Sequence, residues 1–260
     1  MRKRQSVLWF VILTLLLSFG VYFLPLPEGQ RSLLVPVLLV FIPALVCIPL
    51  VFLTEGRERV RRLFASVQGA WKWILIGAAA GALMRLAVLS AGILLGTSVR
   101  ADLSAPETAF VILATIPLAW FEELGWRRFA LARMLRTRSP LEAALLLGVP
   151  WALIHLVLLL PGMMSVGAPA VPQTVVLVAL SVVLTWLYVR SGGSLLAVTL
   201  LHGVQNGLVV LNRGLGMAES TWLMMGVYLL IAVLLVLLDR RLFLARPGEA
   251  ASTAGFGVVG

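Results

Sequence analysis

The chain has 260 residues, 61% of them hydrophobic and 12% charged, with a formal net charge of +10. A soluble domain carries about a quarter charged residues, so a water-soluble globule is excluded. A nucleic-acid partner is excluded as well: the basic residues stand at the ends of apolar runs, not on one soluble face, and the anionic surface of a membrane's inner leaflet is the partner that suits them.

The apolar runs are long enough to cross a bilayer, which takes about 20 residues. In hydrocarbon the backbone must satisfy its own hydrogen bonds, so such runs form helices, and the period-2 alternation of a membrane barrel is missing. In chain order the spans are predicted at approximately 6–24, 33–54, 70–97, 107–126, 141–160, 171–190, 194–212 and 220–243. The fold class is therefore all-α, a polytopic membrane helical bundle of about eight transmembrane helices. A membrane-embedded domain is expected over 1–246, with a Gly- and Ala-rich disordered tail over 247–260. The first run lacks a small-residue cleavage site before Pro25-Leu26-Pro27 and reads as a retained span.

Lys and Arg in short loops set the orientation. Arg2, Lys3 and Arg4, then Arg57, Arg59, Arg61 and Arg62, then Arg128, Arg133, Arg136 and Arg138, then Arg190, and finally Arg240, Arg241 and Arg246 fall on one side. Only Arg31, Arg100 and Arg213 fall on the other. An even number of crossings with both termini cytoplasmic satisfies this bias, in a cell (plasma) membrane. Between the second and third spans, Glu55 to Phe64 interleaves basic and apolar residues and reads as an interfacial amphipathic helix. Ser104-Ala105-Pro106-Glu107 reads as a helix start, with Ser104 as cap. Cys47 lies in an apolar run and reads as a small buried side chain.

Ionisable groups at membrane depth are costly, and each is by default a candidate for function. The fourth span holds Glu122, Glu123 and Arg127; the fifth holds His155; the seventh holds His202 and Asn206; the third holds Arg85. His155 and His202 are the chain's two histidines. Glu123 and Arg127, four apart, share a helix face and can pair, and Glu122 points about 100° away. His202 and Asn206 are likewise four apart. Pro117 and Pro150 are expected to bend their helices, and Gly125 and Gly203 to permit close helix approach. Arg85 either snorkels or counters a glutamate of the fourth helix. A carboxylate, two imidazoles and an amide gathered in a dry bundle suit hydrolysis: a carboxylate and an imidazole to activate water, and imidazole and amide N–H groups to hold an oxyanion. A solvated carboxylate pair at the interface is the simpler alternative for Glu122 and Glu123.

These residues resemble the CPBP intramembrane proteases, also called the CAAX prenyl protease type 2 or abortive-infection family. That family carries Glu-Glu-x-x-x-Arg, then Phe-x-x-x-His, then His-x-x-x-Asn on separate membrane helices. Here the motifs are Glu122-Glu123 to Arg127, Trp151 to His155 with Trp in place of Phe, and His202 to Asn206. They lie in a core of about 104–212. The resemblance implies an intramembrane endopeptidase in which Glu122 with His155 activates water and His202 with Asn206 stabilises the oxyanion. Glu123 and Arg127 would be structural supports. A metal-free site is favoured; a zinc-dependent one would use Glu122, His155 and His202 as ligands. The implied partner is a membrane-associated peptide or protein substrate. A proton- or ion-coupled transporter and a catalytically inert immunity or scaffold protein are the rivals from other classes.

Overall fold

The computed structural model describes residues 3–27, 29–97, 105–209, 215–247 and 249. The Ser104 cap, Arg2, Arg100, Arg213 and the tail from residue 250 onward lie outside them. The described residues contain no strand, and the chain is an all-α polytopic membrane bundle. Its helices are α1 (Lys3–Val21), α2 (Arg31–Glu55), α3 (Arg57–Leu63), α4 (Trp71–Leu94), α5 (Ala105–Glu123), α6 (Ala132–Met134), α7 (Pro140–His155), α8 (Ala170–Arg190), α9 (Leu195–Gly207), α10 (Met217–Leu238) and α11 (Arg240–Phe243). A π-helical segment, Leu124–Leu131, joins α5 to α6, and a 3-10 turn, Leu156–Leu159, follows α7.

Six helices are long and apolar enough to cross a membrane: Arg31–Glu55, Trp71–Leu94, Ala109–Met134, Pro140–Leu159, Ala170–Arg190 and Met217–Leu238. The remaining two of the expected eight are shorter. The described apolar part of α1 is Gln5–Val21. Helix α9 has 13 residues, a rise of about 20 Å against a hydrocarbon core of about 30 Å. The expected span over 194–212 therefore becomes a short helix, held inside the bundle by its neighbours. The basic stretch after the second span forms α3, with Arg61 and Arg62 exposed and Leu63 buried.

Small residues seat α9. A Cβ added at Gly203 would stand 2.6 Å from Ile116 Cα of α5, and one added at Gly81 of α4 would stand 2.5 Å from the Leu201 carbonyl oxygen. Both positions bring backbone against side chain or backbone, the packing that small residues allow in membranes. Helices α7 and α9 both begin on a serine cap. Ser139 Oγ accepts from the Glu142 N–H in a capping box, and Ser194 Oγ accepts from the Ala197 N–H, which fixes where each helix starts. Leu75, Leu83 and Leu86 on α4 and Leu229, Leu230, Leu234, Leu237 and Leu238 on α10 face outward, as lipid contact requires.

The largest departure from the sequence reading concerns the fourth span. It was expected to close near 126, which would put the glutamates at its end. The helix instead runs on through the π-helical segment to Met134, and Glu122 and Glu123 are 2% and 0% exposed. The solvated carboxylate pair is thereby ruled out. Arg128 and Arg133, expected in a loop, lie on this extended helix. Arg128 donates to the carbonyls of Arg62, Leu63, Ala65 and Gly193, and Arg133 pairs with Glu55.

Candidate active site

Three helices bring the singled-out residues together. Glu122 and Glu123 end the α-helical part of α5, His155 ends α7, and His202 sits mid-way along α9. The Glu122 carboxylate lies between the two imidazoles, with Oε1 3.9 Å from His155 Nε2 and Oε2 3.7 Å from His202 Nε2. These separations exceed a direct hydrogen bond. The two imidazoles face the carboxylate with the same ring atom, Nε2.

The other nitrogen of each histidine is engaged. His155 Nδ1 lies 2.8 Å from the Trp151 carbonyl oxygen. Since a carbonyl only accepts, Nδ1 carries the proton and Nε2 is the lone-pair side in the neutral ring. His202 Nδ1 lies 2.8 Å from Glu123 Oε1, and the same oxygen accepts from Arg127 Nη1 at 3.0 Å. Glu123 thus does more than support the helix: it orients the second histidine, as a buried carboxylate fixes the tautomer of its imidazole. The sequence reading missed this contact. The four-residue spacing of Glu123 and Arg127 predicted the ion pair, but a partner 79 positions away has no local signal.

Trp151 binds the cluster laterally. Its ring meets His155 and His202 edge-on, each at a centroid distance of 5.4 Å, and the Arg127 guanidinium carbon lies 4.3 Å from its centroid. Glu123 Oε2, Arg127 Nη2 and Trp151 Nε1 are buried without a hydrogen bond among the described residues. Unsatisfied buried groups are rare and concentrate where a structure serves something besides stability.

Asn206 lies one turn beyond His202 on α9. Its Oδ1 accepts from Gln205 Nε2, so its hydrogen bond runs to Gln205 and not to the carboxylate–imidazole cluster. Arg85 is buried, but it neither snorkels nor counters a glutamate of α5: Nε donates to the Gln205 carbonyl at 2.5 Å and Nη1 to Met224 Sδ at 2.9 Å. Gln205 and Tyr228, which donates to Gln205 Oε1 at 2.8 Å, went unnoticed in the sequence. Gln205 is a polar residue inside a span beside Asn206, which was signal enough; Tyr228 lies in a run of leucines and was not.

The donor types at Glu122, His155 and His202 are those of a zinc site. Among the described residues, however, no three His, Cys, Asp or Glu side chains are grouped so as to hold a metal ion.

In comparison with known proteins, residues 104–208 match the family model described as type II CAAX prenyl endopeptidase Rce1-like. The matched segment runs from the start of α5 to the end of α9 and contains Glu122, Glu123, Arg127, His155, His202 and Asn206. No curated protein matches the chain.

Proposed function

We propose that this chain, whose residues 104–208 match the Rce1-like type II CAAX prenyl endopeptidase model, hydrolyses a peptide bond of a membrane-associated substrate with Glu122 as the general base. The observation that carries this reading is the position of the Glu122 carboxylate between two Nε2 atoms, at 3.7 and 3.9 Å.

A water between Glu122 and His155 donates one proton to the carboxylate and one to His155 Nε2. Glu122 takes the first proton as the water oxygen attacks the substrate carbonyl carbon. The carbonyl oxygen becomes an oxyanion and is met by N–H groups of His202, in its imidazolium form, and of Asn206. Glu123 balances the imidazolium charge. Glu122 returns its proton to the leaving amine and the C–N bond breaks; the second water-derived proton passes through His155 Nε2 to solvent, and a carboxylate and an amine leave. General base catalysis of this kind contributes about 10²–10⁴-fold, and one oxyanion donor about 10²–10³-fold. No step is routed through a metal.

The bias of Lys and Arg toward one set of span ends supports both termini on the cytoplasmic side, with the bundle set against an anionic inner leaflet. The family description points to a prenylated peptide as the first substrate to try. In proteoliposomes of the full chain, a fluorogenic peptide with a prenylated cysteine near its C-terminus, and peptides captured by the inactive variant Glu122→Gln, are the assay substrates. Glu122→Gln keeps the side-chain volume and removes the base. It is expected to abolish cleavage while leaving insertion unchanged; cleavage at the unmodified rate overturns the reading. A zinc chelator is expected to leave the rate unchanged, and loss of activity restored by zinc would reassign Glu122, His155 and His202 as ligands.

A further inference from the structure

We propose that Gln205, oriented by Tyr228 and Arg85, is a positioning residue that fixes which end of the Asn206 amide faces the reaction. The proposal rests on the reading of Asn206 as an oxyanion donor.

An asparagine amide presents two donors on nitrogen and an acceptor on oxygen, and the two ends have nearly the same shape. An oxyanion site works only if the nitrogen end faces the developing charge; the oxygen end would repel it. Nothing in the Asn206 side chain itself selects between these orientations. In the structure the amide is met by a chain of hydrogen bonds running in one direction. The Tyr228 hydroxyl donates to Gln205 Oε1 at 2.8 Å. With its oxygen occupied, Gln205 turns its Nε2 to Asn206 and donates to Oδ1. With its own oxygen occupied, Asn206 keeps its N–H groups for another partner.

The chain of hydrogen bonds is anchored in the interior of the bundle. Gln205 is 2% exposed and Tyr228 1%, so water does not compete for these atoms. Arg85, 5% exposed, donates from Nε to the Gln205 main-chain carbonyl at 2.5 Å and from Nη1 to Met224 Sδ. It thereby ties the backbone of α9 at this point to α4 and α10. A buried arginine in a span is costly, and this contact gives it a task at the residue next to Asn206. Arg85 and Tyr228 both lie outside the segment 104–208 that matches the protease family. Residues of the flanking helices α4 and α10 thus act on the amide through Gln205, which lies within the motif-bearing core.

The test is a double-mutant cycle in proteoliposomes of the full chain, with the prenylated fluorogenic peptide or a peptide captured by Glu122→Gln as probe. Asn206→Ala is expected to lower kcat about 100-fold. Gln205→Ala is expected to lower kcat at least 10-fold with KM unchanged, and Tyr228→Phe, which keeps the ring and removes only the hydroxyl, about 5-fold. Since Gln205 acts through Asn206, the double variant Gln205→Ala/Asn206→Ala is expected to be no slower than Asn206→Ala alone, a coupling that a general packing defect does not produce. The proposal is overturned if the double variant loses the product of the two single effects, if Gln205→Ala raises KM and spares kcat, or if Tyr228→Phe is unaffected. Should Asn206→Ala retain full kcat while Glu122→Gln is inactive, the amide relay is wrong and the peptidase reading stands. Should Glu122→Gln retain full activity, the peptidase reading itself has failed, and the relay with it.

Discussion

His155 and His202 turn the same ring atom toward the same carboxylate, yet the two flanks of the site hold them by different means. His155 ends α7, is held by a backbone carbonyl within its own helix, and has 18% of its side chain exposed. His202 lies inside α9, is held by a carboxylate from another helix, and has 3% exposed. On the α7 flank the imidazole depends on local geometry and borders accessible space. On the α9 flank it depends on Glu123, which depends in turn on Arg127, which lies over Trp151. The difference fits the tasks proposed. Water must arrive and be renewed, so its flank is open. An oxyanion donor must not reorganise as charge develops, so its flank is closed and charged.

The contrast breaks if the two histidines behave alike on removal. His202→Ala is expected to lower kcat about 1,000-fold, and added imidazole is expected not to restore it, because the space is sealed. His155→Ala is expected to lower kcat about 100-fold, with partial recovery in imidazole, because a small base can reach the open flank. Equal rescue, or rescue of His202→Ala alone, would reverse the assignment of open and closed sides. A smaller effect sharpens it further: Glu123→Gln leaves His202 an amide partner without charge and is expected to cost about 10-fold to 100-fold in kcat with little change in KM, read from initial rates over a substrate series. The smallest expected effect is on stability. Gly203→Ala places a Cβ 2.6 Å from Ile116 Cα and is expected to destabilise the bundle by about 1–3 kcal/mol, measured as a lowered Tm in detergent. It should also push α9 away from α5, widening the gap between His202 and Glu122, while the His155 flank is left unchanged.

What the sequence disclosed divides along physical lines. Hydropathy located the helical runs because lipid imposes one solution on the backbone. The rarity of ionisable groups in those runs located Glu122, Glu123, Arg127, His155 and His202, all of which the structure draws into one cluster. Spacing supplied the Glu123–Arg127 pair because that contact is local. Contacts between helices left no such trace: Glu123 with His202, Trp151 with both imidazoles, and Tyr228 with Gln205 depend on how α5, α7, α9 and α10 are rotated against one another. Helix lengths were also hidden. Charge and hydropathy suggested a full span around His202 where the structure has 13 residues, and suggested an end near Trp126 where the helix continues to Met134.

That continuation passes through the π-helical segment at Leu124–Leu131, immediately after the two glutamates. Such wide turns are found mostly as local insertions within otherwise regular helices. In this chain the length of the segment matters as well as its residues. Removing a single residue between Glu123 and Arg127 would rotate everything downstream by about 100° and swing Arg127 off both Glu123 and the Trp151 ring. A deletion scan should therefore be tolerated least at Leu124, Gly125 and Trp126, where the loss of one residue breaks the spacing of the Glu123–Arg127 pair.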